Sequence, residues 1–186
     1  MDVLTAIHTR HSIGKVKPDP VPRAVIEKLL LAAVQAPNHH KVRPWRFVVL
    51  SGAARQRLGE VMAASQRSRK PDLPPEADEK VRALPLRAPV IIAVGVDRPT
   101  DPRVLEIENV SAVAAAIQNL LLTAHAEGLG AIWRTGEWAY DPQVKKFLGF
   151  EPEQHLLGFI YLGYPEVVTE HPPRPGFEDR TVWMEE

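Results

Sequence analysis

Three short stretches hold most of the side chains that could do chemistry. Arg10-His11-Ser12 sets a planar guanidinium fork beside a hydroxyl donor, a pairing that suits a phosphate. An arginine at a helix end can equally serve the last carbonyls and the negative end of the helix dipole. The second stretch runs from Ala36-Pro37-Asn38-His39-His40-Lys41 to Val42-Arg43-Pro44-Trp45. It is dense in donors and bounded by prolines that restrict its backbone, as a polar ligand with several acceptors would require. An ordinary helix-to-strand connection is the other reading of the same residues. His39 and His40 are adjacent, so their side chains diverge in an extended segment, and no further residue supplies metal-ligand spacing. No metal site is expected. The third stretch is Gly128-Leu129-Gly130 followed by Trp133-Arg134-Thr135-Gly136. Trp133 can stack on an aromatic ligand while Arg134 and Thr135 donate hydrogen bonds. A buried strand with a core tryptophan would also fit.

Other chemistries are excluded. The glycines of the third stretch follow a helix and precede a strand, the reverse of the dinucleotide fingerprint. No phosphate-binding loop of the Walker type and no nucleophile elbow occurs. Glu106 and Glu108 open the longest helical pattern, where acids suit the dipole, and need no catalytic explanation. The 186 residues include no cysteine, which rules out disulfides, thiolate zinc sites and a cysteine nucleophile. Electrons handled by this chain must therefore reside on a bound cofactor. Lys+Arg and Asp+Glu are both 23, and a net charge of zero argues against a nucleic-acid partner. A hydrophobic content of 45% argues against disorder, and the length suits a single domain, 1–186. The N-terminal segment has no basic region, and His8 breaks its apolar run. No stretch approaches the ~20 apolar residues that cross a bilayer, so a cytoplasmic protein without membrane contact is expected.

Periodicity and caps define the elements that must hold these stretches. Asp2 caps a first helix with Val3, Leu4 and Ile7 on one face. Gly14, Pro18, Pro20 and Pro22 keep the segment from His11 to Pro22 extended. A helix follows from about Arg23 to Gln35, with Val25, Ile26, Leu29, Leu30 and Ala33 as its apolar face. Trp45–Leu50, Val90–Val96, Ala131–Arg134 and His155–Leu162 read as strands, short and rich in β-branched and aromatic residues. Helices are expected over Ala53–Ser65, Glu76–Leu84 and Glu106–Glu127, the last ended by Gly128 as a C′ glycine. Asp141-Pro142 opens a further helix and Gly149 closes it. Residues 66–75, with Arg67, Arg69, Lys70 and three prolines, read as a surface loop or lid. From Val110 to Leu122 the long helix is apolar or small nearly all round. It is either a core helix of a monomer or one that also packs across a homodimer seam.

In their order and spacing these features resemble the nitroreductase family of FMN-dependent oxidoreductases, and within it the short, minimal subgroup. Arg10-His11-Ser12 is similar to the family's Arg-x-Ser after the first helix. Ala36-Pro37-Asn38-His39 through Pro44-Trp45-Arg46-Phe47-Val48-Val49 resembles its alanine-proline loop and proline-tryptophan strand. The run from Ala115 to Ala124, then Gly128-Leu129-Gly130 and Trp133-Arg134-Thr135-Gly136, resembles its central helix and flavin-contact strand. Phe147-Leu148-Gly149 and the segment from Gly158 to Pro165 resemble its last helix and strand. The resemblance covers about residues 1–166. It implies an α+β nitroreductase-like fold with a small mixed, mainly antiparallel sheet flanked by helices. It also implies an intertwined homodimer with FMN at the seam. Beyond it, the prolines Pro165, Pro172, Pro173 and Pro175 and the lack of periodicity read as an extended tail over about 165–186. The implied cofactor contacts are Arg10, His11, Ser12, Gln35, Pro37, His39, Trp133, Arg134 and Thr135. Arg10 and Ser12 would meet the phosphate, and Trp133 to Thr135 would come partly from the other subunit. Gln35 stands where close relatives often carry arginine. The implied activity is ping-pong. NADH or NADPH reduces the cofactor and leaves, and a nitroaromatic, quinone or related small molecule then takes the same face. No catalytic side chain is required, because solvent or backbone can move the protons. The alternatives are a flavin-binding sensor or carrier without reductase turnover, and a cofactor-free dimeric binding module. Arg174 and Arg180 in the tail have no role assigned at this level.

Overall fold

A computed structural model describes residues 1–167 and 174–185. Four strands form one sheet in the order β1-β2-β4-β3: β1 (Trp45–Ser51), β2 (Val90–Val96), β3 (Gly130–Arg134) and β4 (His155–Gly163). Every ladder is antiparallel, which corrects the expectation of a mixed sheet. β2 and β3 do run in the same direction. β4 inserts between them and pairs antiparallel with both, so no parallel neighbours arise.

Helices cover both faces. On one side lie α2 (Arg23–Ala33) and α5 (Glu106–Ala126). On the other lie α3 (Ala53–Arg69), α4 (Pro75–Ala83), α6 (Glu137–Tyr140) and α7 (Pro142–Phe147). The alternation of strand side chains divides the core accordingly. Ile92, Val94, Ile160 and Leu162 face α2 and α5, while Ile91, Ala93, Phe159 and Tyr161 face the α3 side. β2 is therefore buried along its whole length and reads as a continuous apolar run.

The caps fall where the sequence places them. Asp2 accepts from Thr5 N at 3.0 Å and opens α1 (Val3–Thr9). Asp141 accepts from Gln143 N and Val144 N, with Pro142 in the first turn of α7. Gly128, at φ 76°, ends α5 and lets Leu129 N reach the Ala124 carbonyl at 2.8 Å.

Two expectations change. α2 stops at Ala33, short of Gln35. α3 continues to Arg69, so residues 66–69 are helix and not loop. Ion pairs replace the apolar signal there. Arg67 pairs with Asp78 of α4, and Arg69 pairs with Glu137 and with the buried Asp141. The expected extended tail lies partly outside the described residues, since Pro172 and Pro173 fall there. Its described part includes an isolated bridge of Pro165 to Val16 and a 3-10 turn at Glu178–Arg180.

α5 is long and apolar enough to cross a bilayer by length and composition. Its buried residues, among them Val113, Ala116, Ile117, Leu120 and Ala124, pack into the core beside α2 and the sheet. That packing accounts for its apolarity.

Candidate functional site

The sequence-expected residues gather at two places, one toward each end of α5. At its C-terminal end α1 runs out against the helix. Arg10 and His11 are half-buried there, and Ser12 is exposed beside them. The His11 ring lies 6.5 Å from that of His125, which belongs to the last turn of α5. Arg174 of the tail donates to the Arg10 carbonyl at 3.4 Å. Burial and the Arg174 charge lower the pKa of Arg10. Among the described residues no carboxylate pairs with Arg10 or Arg174, so their charges remain available to an anion.

The neighbouring strand β3 belongs to the same cluster. Ile13 N donates to the Ala131 carbonyl at 3.0 Å, fastening the segment after Ser12 to β3. The Arg134 guanidinium approaches Gly14 and lies over the Tyr161 ring, 5.6 Å from its centroid. Its Nε is buried and has no hydrogen-bond partner among the described residues. Trp133, Arg134 and Thr135 share a cavity of about 300 Å³ with Arg87, Trp138 and Tyr161. Burial raises the pKa of Tyr161, against the opposing pull of Arg134 and Arg87.

The orientation of Trp133 has a local cause. The β2–β4 register slips so that Val94 pairs with Gly158 and Gly95 with Leu156. Leu157 is thus an extra residue, a bulge in β4. Its carbonyl accepts the Trp133 indole N–H at 2.8 Å. Gly158 makes this possible. It sits at φ 129°, and a Cβ there would stand 2.3 Å from the Arg134 carbonyl oxygen.

The second place lies by the start of α5. Pro37, Asn38 and His39 line a groove of about 430 Å³ with Ile107, Glu108, Ser111 and Ala115. His39 Nε2 approaches Glu108 Oε1 at 3.6 Å, and the other oxygen of Glu108 accepts from Leu105 N at the helix start. The loop is contorted. His40, Lys41 and Arg43 have φ of 47°, 57° and 52°, a region costing an ordinary residue about 1–2 kcal/mol. Asn38 braces it, accepting from Arg43 N at 2.9 Å and donating to the Ala36 carbonyl. Gln35 takes no part in either cluster among these contacts. Its amide turns back to the Leu31 carbonyl at 3.3 Å.

Measured along α5 at ~1.5 Å per residue, Glu108 and His125 are roughly 25 Å apart. Within one chain the residues therefore form two half-sites. Trp133, Arg134 and Thr135 stand with the Arg10–Ser12 segment of their own chain, while Pro37 and His39 stand apart. Sequence reasoning missed Arg87, His125 and Tyr161, which come to the first half-site only through the fold. His125 alone carried a local signal, a basic residue in the last turn of a long helix.

The donor set fits a phosphorylated, planar aromatic group. Two arginines without carboxylate partners among the described residues suit the phosphate, and a buried guanidinium N–H lies beside an aromatic-lined cavity. Fold and site together define an α+β protein with basic, aromatic half-sites on a helix-flanked antiparallel sheet. The nitroreductase family model matches residues 7–164, and the chain belongs to that family. YfhC of Bacillus subtilis (strain 168), provisionally named an NAD(P)H nitroreductase, is 33% identical over 179 residues, covering 96% of this chain and 92% of that protein. A nitroreductase-like family protein from Bacillus cereus superposes with a TM-score of 0.84 at 25% identity, covering 100% of this chain and 97% of the other. A provisionally assigned nitroreductase of Desulfovibrio desulfuricans, solved in complex with FMN, superposes with a TM-score of 0.75 at 27% identity, covering 100% and 99%.

Proposed function

We propose that this chain is an FMN-dependent oxidoreductase. It uses NADH or NADPH to reduce nitroaromatic, quinone or related electrophilic small molecules by a ping-pong mechanism, and it works as a homodimer. The observation that carries this reading is the pair of guanidinium groups of Arg10 and Arg174, which no carboxylate among the described residues neutralises, next to the buried Arg134 Nε, which has no hydrogen-bond partner among them. FMN, when bound, supplies the hydride-accepting and hydride-donating chemistry.

The protein's own residues would do the rest. Arg10, Ser12 and Arg174 hold the phosphate. Arg134 donates to the polar edge of the ring system and offsets negative charge gained on reduction. Trp133, fixed by the Leu157 carbonyl, forms an aromatic wall. Pro37 and His39 of the partner subunit close the other side. Family relatives named for NAD(P)H, and one solved with FMN, support the cofactor assignment.

The test is anaerobic. Protein loaded with FMN should bleach within seconds to minutes on addition of NADH or NADPH, and recolour on addition of a quinone or nitroaromatic. Flavin that stays oxidised with both donors would leave a flavin carrier in place of a reductase. Protein that takes up no flavin at all would refute the cofactor assignment. Arg10→Ala should lower FMN occupancy at least tenfold, since charge-assisted hydrogen bonds are worth about 1.5–3 kcal/mol.

A further inference from the structure

The two imidazoles beside Arg10 are joined through Thr9. Thr9 Oγ1 lies 2.7 Å from the Thr5 carbonyl oxygen and 2.7 Å from His125 Nε2. A hydroxyl has one proton to give, and the Thr5 carbonyl can only accept it. His125 Nε2 must then be the donor in the second contact, which leaves Nδ1 as the nitrogen that gains a proton. The Thr9 carbonyl accepts from His11 Nδ1 at 3.0 Å. Thr9 thus ties the last turn of α5 to the segment that presents Arg10 and Ser12.

Among the described residues the charged groups that act on His125 share one sign. Arg10 and His11 face it from the end of α1, and Arg174 of the tail stands against Arg10. His8 is on the exposed side of α1. Glu127, two residues beyond His125, is held by Lys28 of α2 at 3.1 Å. Burial first, then His11 and Arg10, keep the His125 pKa below its ordinary 6.5. With the site free of anion, His125 is therefore neutral near pH 7.

We propose that Thr9 and His125 position the Arg10–Ser12 segment for the cofactor's phosphate, and that His125 gains a proton when that phosphate binds, so cofactor retention tightens as the pH falls. This inference rests on the FMN assignment above. A phosphate dianion set among these groups offsets the Arg10 charge and favours the imidazolium of His125. Whatever raises a group's pKa on binding must bind more tightly as pH falls through the window between the free and bound pKa values. Each unit by which the pKa rises adds up to tenfold in affinity.

The experiment is a fluorescence titration of the flavin-free protein with FMN and with riboflavin, from about pH 8.5 to pH 6. For the wild type, the FMN dissociation constant should fall about tenfold across this range. Riboflavin, which lacks the phosphate, should give a flat line. His125→Gln keeps a donor for Thr9 but cannot titrate, and its FMN line should also be flat. Thr9→Val should weaken FMN about tenfold at every pH, and His125→Leu should weaken it with a flat line, so that its deficit against the wild type grows as the pH falls; both should leave riboflavin affinity alone. Thermal melts of each variant establish that it folds. An FMN slope that survives His125→Gln overturns the proposal and leaves the cofactor assignment standing, as does a Thr9→Val protein with wild-type affinity. A wild-type protein that binds neither flavin overturns both.

Discussion

Arg134 is the side chain where burial and charge conflict most directly. Its guanidinium lies over Tyr161, and its Nε is shut away from water without a partner among the described residues. An unsatisfied buried donor costs about 1–3 kcal/mol, and more when charged, so a ligand acceptor placed there relieves a penalty the free protein carries. Arg134→Met keeps length and apolar bulk but removes the donor and the charge. It should raise the FMN dissociation constant at least tenfold and make the reduction potential of the bound cofactor more negative. Titration and spectroelectrochemistry measure the two effects, and an unchanged potential would contradict the assigned role. Arg134 and Trp133 were legible in the sequence because a polar and an aromatic residue follow a glycine-flanked apolar run. Arg87 and Tyr161 were not. Their membership depends on β4 lying beside β3 and on the turn before β2 reaching the same face of the sheet, and no local pattern encodes either.

Among the elements, the strands were the most legible. Short β-branched runs have few alternatives, and all four lie within a residue of their expected bounds. The last turn of α3 was illegible for a specific reason. Residues 66–69 are polar and basic, and what keeps them helical is ion pairing to elements distant in sequence. Asp141 is the centre of that arrangement. Its side chain is 1% exposed, accepts from Ser65 Oγ at 2.6 Å, caps α7 and faces Arg69 at 3.3 Å. Arg69 in turn stands over Trp138, 5.4 Å from the ring centroid. This network holds the α3 end against α6 and α7, next to Thr135, so the expected lid is pinned at its helical end. Asp141→Asn can still cap the helix but leaves Arg69 without its buried counter-charge. Arg69 is itself 41% exposed and keeps Glu137, so the loss should be about 1 kcal/mol, in the range for a partly exposed pair. Urea denaturation checks this, and a loss below ~0.5 kcal/mol would show that the network is unimportant.

For the whole molecule, the exposed apolar residues and the divided site point the same way. Val3, Leu4 and Ile7 form the expected apolar face of α1, yet they are 71%, 66% and 45% exposed in the single chain. Leu105 and Ile107 are as exposed at the opposite end of α5. Exposed apolar groups of this size mark contact surfaces when they cluster. The half-site around Arg10 lies toward one end of α5 and the His39 groove toward the other. A twofold axis across α5 would pack two such helices antiparallel and set the Arg10 end of each against the His39 end of its partner. Each of the two complete sites would then draw on both chains. This arrangement makes a quantitative prediction for mixed dimers. Arg10→Ala and His39→Ala homodimers should each hold FMN poorly at both sites. In a heterodimer of the two, one site carries both defects and the other carries neither. Co-expression with different affinity tags, followed by tandem purification, isolates that heterodimer. It should hold about one FMN per dimer with wild-type affinity. If each site were built within one chain, both sites would remain defective and no tight binding would return. Recovery of one tight site therefore separates a shared site from a private one, and the same preparation run on a sizing column reports whether the dimer forms at all.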